Sequence, residues 1–149
     1  ISEQQIIWGG NYFTDYLPPT MQWLMWDKGQ RDFSLADFEI AWSSNWNASR
    51  VFTYSRGAAN CEDKHHPTKK PVALMEWCLK FVTPGLVLDP YLGSGSTGIA
   101  CIRAGRPFWG FENDASYWPA TVQRFEDELA RTPLFEQPEA VEQQRELFA

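Results

Sequence analysis

The sequence predicts an α/β domain with a mixed, mostly parallel sheet flanked by helices. Three observations predict it. After Pro71 the apolar pattern runs helix, strand, helix, strand, helix, which lays parallel strands under helical cover. A glycine turn, Gly93-Ser94-Gly95-Ser96, joins the first of those strands to the next helix. Ahead of residue 45 the apolar runs are strand-length and broken by glycine and proline.

The elements follow in order. Ile6-Ile7-Trp8 reads as a short buried strand, stopped by Gly9-Gly10-Asn11. Tyr16-Leu17-Pro18-Pro19-Thr20 is a loop, because two prolines do not sit inside an element. Trp23-Leu24-Met25-Trp26-Asp27 is a second strand ending at Lys28-Gly29, and Ser34 to Asp37 reads as a helical turn. Phe38-Glu39-Ile40-Ala41-Trp42 alternates and makes a third strand. Residues 43–65 are polar and irregular, with Val51-Phe52-Thr53-Tyr54 as a short strand. Pro71 opens a helix at its first position, where a missing N–H costs nothing. Val72, Met75, Leu79 and Val82 recur at helical spacing, and Thr83-Pro84-Gly85 ends the run. Leu86-Val87-Leu88 is a strand, residues 97–104 a helix stopped by Gly105, and Phe108-Trp109-Gly110-Phe111 the next strand. Asp114 to Arg131 is a long helix with Trp118, Val122, Phe125 and Leu129 on one stripe. No internal repeat or low-complexity segment interrupts the pattern.

Composition bounds the class. With 149 residues, 44% hydrophobic and 15% aromatic, the chain can build one real core. No apolar run approaches the ~20 residues of a membrane span, no basic-then-apolar stretch opens the chain, and the cytoplasm is the expected compartment. Cys61, Cys78 and Cys101 are odd in number and lack metal-ligand spacing, so free thiols in a reducing compartment are expected, without a metal. Net charge is −6, but residues 126–149 hold seven acids and two arginines, leaving the first 125 residues at −1. A near-neutral body permits contact with DNA without demanding it. The chain starts at Ile1 and not Met, and the expectation is a truncated start.

Chemistry concentrates at Leu86-Val87-Leu88-Asp89-Pro90-Tyr91-Leu92-Gly93-Ser94-Gly95-Ser96-Thr97: strand, acid, glycine turn, helix start. Gly93 and Gly95 carry no Cβ and let backbone approach a ligand, and the helix start beyond them offers unpaired N–H groups. Glu112 stands at the end of the next strand, nineteen residues past Gly93, where a carboxylate can accept hydrogen bonds from ribose hydroxyls. The pattern suits an adenosine-containing cofactor. A bare turn is the plainer alternative. A dinucleotide or phosphate site ranks lower, since the third glycine is absent and no P-loop lysine follows.

His66-Pro67-Thr68-Lys69-Lys70-Pro71, Leu74, Pro84-Gly85, Val87 through Ala100, Gly105-Arg106 and Gly110-Phe111-Glu112 together resemble the DNA N6-adenine/N4-cytosine amino-methyltransferase family. The similarity is to the subclass whose catalytic half precedes its cofactor half, and it covers roughly residues 65–125. Tyr91 and Ser96 stand where the family usually has Phe and Thr. The resemblance implies a Rossmann-like S-adenosylmethionine-dependent methyltransferase fold of the bacterial or phage DNA-modification kind, such as accompanies restriction. It implies that Asp89, Pro90, Tyr91 and the turn Gly93, Ser94, Gly95, Ser96 and Thr97 hold the methionine moiety. Glu112 would take the ribose, with Asn113 near the adenine, and Thr68 and Lys70 would close the pocket near the carboxylate. Lys70 suits that anion on its own chemistry, as a cation beside a helix start. His65 and His66 read as turn histidines without metal, His66 with a capping role in the cofactor half.

The family's catalytic tetrapeptide, Asp/Asn/Ser-Pro-Pro-aromatic, would hold the amine of a flipped base. It does not occur in these residues. Leu17-Pro18-Pro19-Thr20 is the only Pro-Pro pair and lacks both flanks, so no catalytic residue is assigned; the expectation is that the tetrapeptide lies upstream of Ile1. Asn11 and Tyr12 are candidates for lining the base pocket, with a packed glycine turn as the equal alternative. The expected organisation is a methyltransferase domain over 1–131 and an acidic tail over 132–149. Within the domain, 1–42 are the remaining catalytic-half strands, 43–65 a short target-recognition loop and 66–131 the cofactor half. Arg50, Arg56 and Lys64 in that loop could touch phosphates. The tail's Gln144-Arg145-Glu146-Leu147-Phe148 is similar to sliding-clamp-binding peptides of bacterial DNA enzymes, a frayed amphipathic helix being the plainer reading. The leading expectation is methyl transfer from S-adenosylmethionine to an exocyclic amine in DNA. A non-catalytic cofactor-binding partner subunit is the alternative, followed by an RNA or small-molecule methyltransferase.

Overall fold

The computed structural model describes residues 2–31, 34–55, 57 and 69–131. The chain divides into two compact units, Ile1–His65 with Lys80–Val82, and His66–Leu79 with Thr83–Ala149.

The first unit is built on four strands: β1 (Ile6–Trp8), β2 (Trp23–Asp27), β3 (Phe38–Ser43) and β4 (Arg50–Thr53), in the order β1-β3-β2-β4. β3 runs antiparallel to both neighbours, with Trp8 and Leu24 both level with Ala41, while β4 lies parallel to β2. A central strand flanked on both edges explains why Ala41, Trp42 and Ser43 are all buried. β2 keeps strict alternation, burying Leu24 and Trp26. Buried polar groups are paired: Ser43 Oγ donates to Gln22 Oε1 at 2.8 Å, and the Trp26 and Trp42 indoles donate to the Tyr54 and Pro18 carbonyls, each at 2.9 Å. Residues 34–37 form bends and not the helical turn the sequence suggests. The carbonyls of the last two residues are spent on the β2 side, Asp37 O on Lys28 N–H at 3.0 Å and Ala36 O on the Gln30 amide at 3.0 Å, because the segment is the connection between β2 and β3.

The second unit alternates α1 (Val72–Leu79), β5 (Val87–Asp89), α2 (Ser96–Arg103), β6 (Phe108–Gly110) and α3 (Trp118–Arg131). β5 and β6 are parallel, with Val87, Leu88 and Asp89 level with Phe108, Trp109 and Gly110. Leu74 of α1, Ile99 and Ile102 of α2, and Phe125 and Leu129 of α3 are buried with Phe108, which meets Phe125 edge-on at 5.4 Å between ring centroids. Arg103 ties the three helices together. Its guanidinium donates to Glu76 of α1 at 3.1 Å and to both carboxylate oxygens of Glu128 of α3 at 2.7 and 3.0 Å.

Two helix ends differ from the sequence reading. α1 stops at Leu79, a turn before Val82. Arg106 takes the carbonyls of Thr83, Gly85 and Leu79, at 2.7, 3.2 and 3.5 Å, and Asn45 Nδ2 takes that of Phe81 at 2.6 Å, so side chains replace the last helical bonds. α3 begins at Trp118 and not Asp114, because Tyr117 and Trp118 N–H reach back only three residues, to Asp114 O at 3.1 Å and Ala115 O at 3.4 Å, and with the Asp114 carboxylate accepting from Ser116 N–H at 2.9 Å residues 114–117 form a turn.

Candidate functional site

The carboxyl end of β5 delivers Asp89, and the chain then turns through Gly93-Ser94-Gly95 into α2. Gly95 caps α2 with φ 80°, and a Cβ there would stand 2.8 Å from both the Phe125 ring and Thr121 Cγ2. Only glycine satisfies both conditions. The turn is held from below by α3: Thr121 Oγ1 donates to Gly93 O at 2.9 Å, and Arg124 donates to Ser94 O. Asp89 Oδ1 accepts from Tyr91 N–H at 3.0 Å, which bends the chain out of the strand.

Glu112, at the end of β6, is brought directly to this turn. Its Oε2 accepts from Gly93 N–H at 2.8 Å and its Oε1 from Asp114 N–H at 2.8 Å. These backbone donors, Asp114 first and then Gly93, hold the carboxyl below the usual glutamate range, so it is ionised at neutral pH. Asn113 N–H adds a third backbone donor, fewer than the roughly four lone-pair directions of a carboxylate.

Ser96, the first residue of α2, is buried, and its Oγ is the one buried side-chain oxygen or nitrogen among the described residues without a hydrogen-bond partner. A buried hydroxyl at a helix N-terminus, beside free N–H groups, fits an anionic or polar ligand group. The residues present therefore fit a nucleoside with a charged side arm.

Asp89, Gly93, Ser94, Gly95, Ser96 and Glu112 are thus brought together in one βαβ unit. Pro90 and Tyr91 follow Asp89 on the exposed bend, Tyr91 at 88% exposure, and Asn113 is exposed beside Glu112. Thr97 and Lys70 are half-buried in the same unit. His66 and Thr68 lie outside the described residues, as do His65, Cys61, Arg56, Lys64 and Gln144–Phe148. Arg50 is on β4 and exposed, its guanidinium donating to Ser49 O at 3.1 Å. Asn11 and Tyr12 form an exposed 3-10 turn after β1. Cys78 and Cys101 are buried thiols outside any disulfide, and burial pushes the Cys101 thiol up to about 12. No group of metal-ligating side chains and no helix long and apolar enough to cross a membrane occurs among the described residues.

Thr121, Arg124 and Phe125 went unread in the sequence as supports of the turn. Their spacing of three and four, which puts them on one helix face, was the available signal. Arg106 was likewise noted only as a motif residue, not as the group that gathers the carbonyls before β5.

A parallel βαβ unit with a glycine turn and an acid at the end of its second strand defines the nucleoside-binding half of a Rossmann-like methyltransferase. The chain belongs to the DNA methylase family, whose profile matches residues 13–123. It is 42% identical over 64 residues to the YubD protein of Escherichia coli (strain K12) and 38% over 65 residues to the type II methyltransferase M2.DpnII of Streptococcus pneumoniae. Each match takes in 42% of this chain and only 28% and 24% of the relatives' own lengths. The fold is similar to that of M1.HpyAVI in its complex with SAM, with a TM-score of 0.61 and 25% identity over 81% of this chain and 73% of that one. It is also similar to the cytosine-N4-specific PvuII DNA methyltransferase, with a TM-score of 0.52 and 19% identity over 74% of this chain and 56% of that one.

Proposed function

We propose that this chain carries the S-adenosylmethionine-binding half of a DNA amino-methyltransferase acting on N6 of adenine or N4 of cytosine. The observation that carries the reading is the bond from Gly93 N–H to Glu112, which seats an ionised acid against the glycine turn ahead of a helix start. M1.HpyAVI, solved with SAM, and M2.DpnII, a methyltransferase, support it.

S-adenosylmethionine, when bound, supplies an electrophilic methyl group to an exocyclic amine. The residues of this chain position it. Glu112 accepts from the ribose hydroxyls, and Asn113 stands by the adenine. Asp89 takes the methionyl ammonium, while Ser96 and the α2 N-terminus, with Thr68 and Lys70, take its carboxylate. Pro90, Tyr91 and Thr97 complete the wall of the site, and His66 is proposed to serve the same half. No catalytic residue is assigned, because these residues hold no Pro-Pro-aromatic tetrapeptide. Asn11 and Tyr12 line the pocket for the extruded base. Residues 1–42 then supply strands of the catalytic half, 43–65 a recognition segment and 66–131 the cofactor half.

Calorimetric titration with S-adenosylhomocysteine tests the reading. A single weak site in the parent chain, weakened further by Glu112→Gln and by Ser96→Ala, is expected; no binding by the parent chain would refute it. The cytoplasm is the compartment such an enzyme works in. Gln144–Phe148 is proposed as a clamp-binding peptide, and equal clamp retention by a Leu147→Ala/Phe148→Ala variant would dismiss that part.

A further inference from the structure

The loop between β1 and β2 is tied by its own backbone hydrogen bonds and is conspicuously aromatic. Tyr12 and Phe13 N–H donate back to the Gly9 and Gly10 carbonyls at 2.9 and 3.0 Å, and Tyr16 and Leu17 N–H both donate to Phe13 O, at 2.9 and 3.0 Å. Trp42 pins the loop at two points. A Cβ on Gly10 would fall 2.5 Å from Trp42 Cβ, so only glycine lets the loop lie this close. The Trp42 indole N–H then holds Pro18 O. On this fixed frame Tyr12 is 82% exposed, Tyr16 87% and Phe13 50%. The core does not use these rings, and leaving them in water is unfavourable unless a partner covers them.

Strand direction says where the loop begins and where it ends. β1 and β2 both oppose β3, and β4 parallels β2, so the carboxyl ends of β1, β2 and β4 share one edge. The loop leaves β1 at that edge, folds back over Trp42, which is level with Ile7 and Trp23, and enters β2 at the opposite edge. Its chemistry says which ligand. From Gly9 to Leu17 the only charged residue is Asp15, so the loop cannot track phosphates. From Gly9 to Leu17 its exposed groups are flat rings, two phenol hydroxyls, the Asn11 amide, the Thr14 hydroxyl and the Asp15 carboxylate, while Leu17, the one aliphatic side chain of that stretch, is half-buried. Flat faces with hydrogen-bonding rims suit flat partners that carry their own π face and polar edge.

We propose that residues 9–18 form a stacking surface for unpaired nucleobases of the DNA substrate, with Tyr12 and Tyr16 as its principal faces and Phe13 beside them. The proposal rests on the reading of this chain as part of a DNA methyltransferase, whose target base must leave the helical stack and leave its neighbours unstacked.

The test uses the full 149-residue chain and a short single-stranded oligonucleotide carrying 2-aminopurine at its centre, with the matched duplex for comparison. The single strand is expected to bind more tightly than the duplex, with its 2-aminopurine fluorescence quenched by stacking. Tyr12→Leu/Tyr16→Leu, which keeps apolar bulk and removes the rings, is expected to weaken single-strand binding by about tenfold or more. The salt dependence of binding should stay unchanged, since no cation is lost. Tyr12→Phe/Tyr16→Phe should retain most of the affinity, and so should Trp46→Leu, which removes an exposed ring outside the loop. Circular dichroism melts of all variants should match the parent, because these side chains are exposed. Leucine variants that bind the single strand as well as the parent, or a parent that prefers the duplex or binds neither, would overturn the proposal. Retained S-adenosylhomocysteine binding in such a result leaves the methyltransferase reading standing. A parent that fails to bind S-adenosylhomocysteine removes that reading and this proposal with it.

Discussion

At the residue scale, Glu112 does two jobs, fixing backbone and presenting charge. Its N–H donors at Gly93 and Asp114 hold its pKa below the 4.5 of an ordinary glutamate in the folded chain. The stabilisation is therefore fully present above that ordinary value and is lost as pH falls through the depressed one. Titration of the turn, followed by the amide shifts of Gly93 and Asp114, should stay flat from neutrality to the ordinary glutamate range and move only below it. Glu112→Gln should weaken S-adenosylhomocysteine binding by about tenfold, since a neutral amide is the weaker acceptor. Gly95→Ala should be worse on both counts, stability and binding. A positive φ costs a side chain roughly 1–2 kcal/mol, and the Phe125 contact adds to it. A lowered melting temperature with lost calorimetric heat would show it. Cys78 and Cys101 are inert by burial, so native chain at neutral pH should leave both unalkylated by iodoacetamide until denaturant is added, as peptide mass mapping would show. Gly93, Gly95 and Glu112 were legible because each is needed for a distinct chemical reason and their spacing is local. The second task of Glu112, holding Gly93, was not legible, because nothing in a spacing says whether a carboxylate faces a ligand or a backbone N–H.

At the element scale, α1, α2 and α3 are joined by one guanidinium. Arg103 is partly exposed and Glu128 is buried, so the cluster lies between a surface pair and a fully buried one. Glu128→Ala should cost about 1–3 kcal/mol, more than Glu76→Ala, whose carboxylate is the more exposed partner. Urea unfolding with unchanged slope is the measurement, and equal losses for the two variants would contradict the ranking. The stripe of Trp118, Val122, Phe125 and Leu129 was a fair guide to α3, with Phe125 and Leu129 buried. Thr121 and Glu128, also buried on that helix, escape a hydrophobic pattern, since they are inside for hydrogen bonds and not for apolar area. Element ends were the weakest reading. Val82 and Ser34 sit where a distant side chain takes a nearby carbonyl, and at Asp114 the backbone bonds back three residues and not four.

At the whole-molecule scale, ligand binding and stability are linked. S-adenosylhomocysteine at a hundredfold its dissociation constant should add about 2.7 kcal/mol to the folded state it binds. Thermal unfolding with rising ligand should shift upward for the parent and not for Gly95→Ala. The parallel pairing of β5 with β6 was readable from alternation alone, because a helix between two short strands leaves few other arrangements. The order β1-β3-β2-β4 was not, because short apolar strands separated by loops can pair in several ways. By itself the sequence determined the second unit's βαβ unit, its glycine turn and the acid at its end, since these depend on local sterics and period. Tertiary structure alone decided that Glu112 grips Gly93, that α3 supports the turn, and that three rings after β1 remain in solvent. Each of those depends on which distant groups compete for one hydrogen bond or one packed surface, a competition that exists only once the chain has folded.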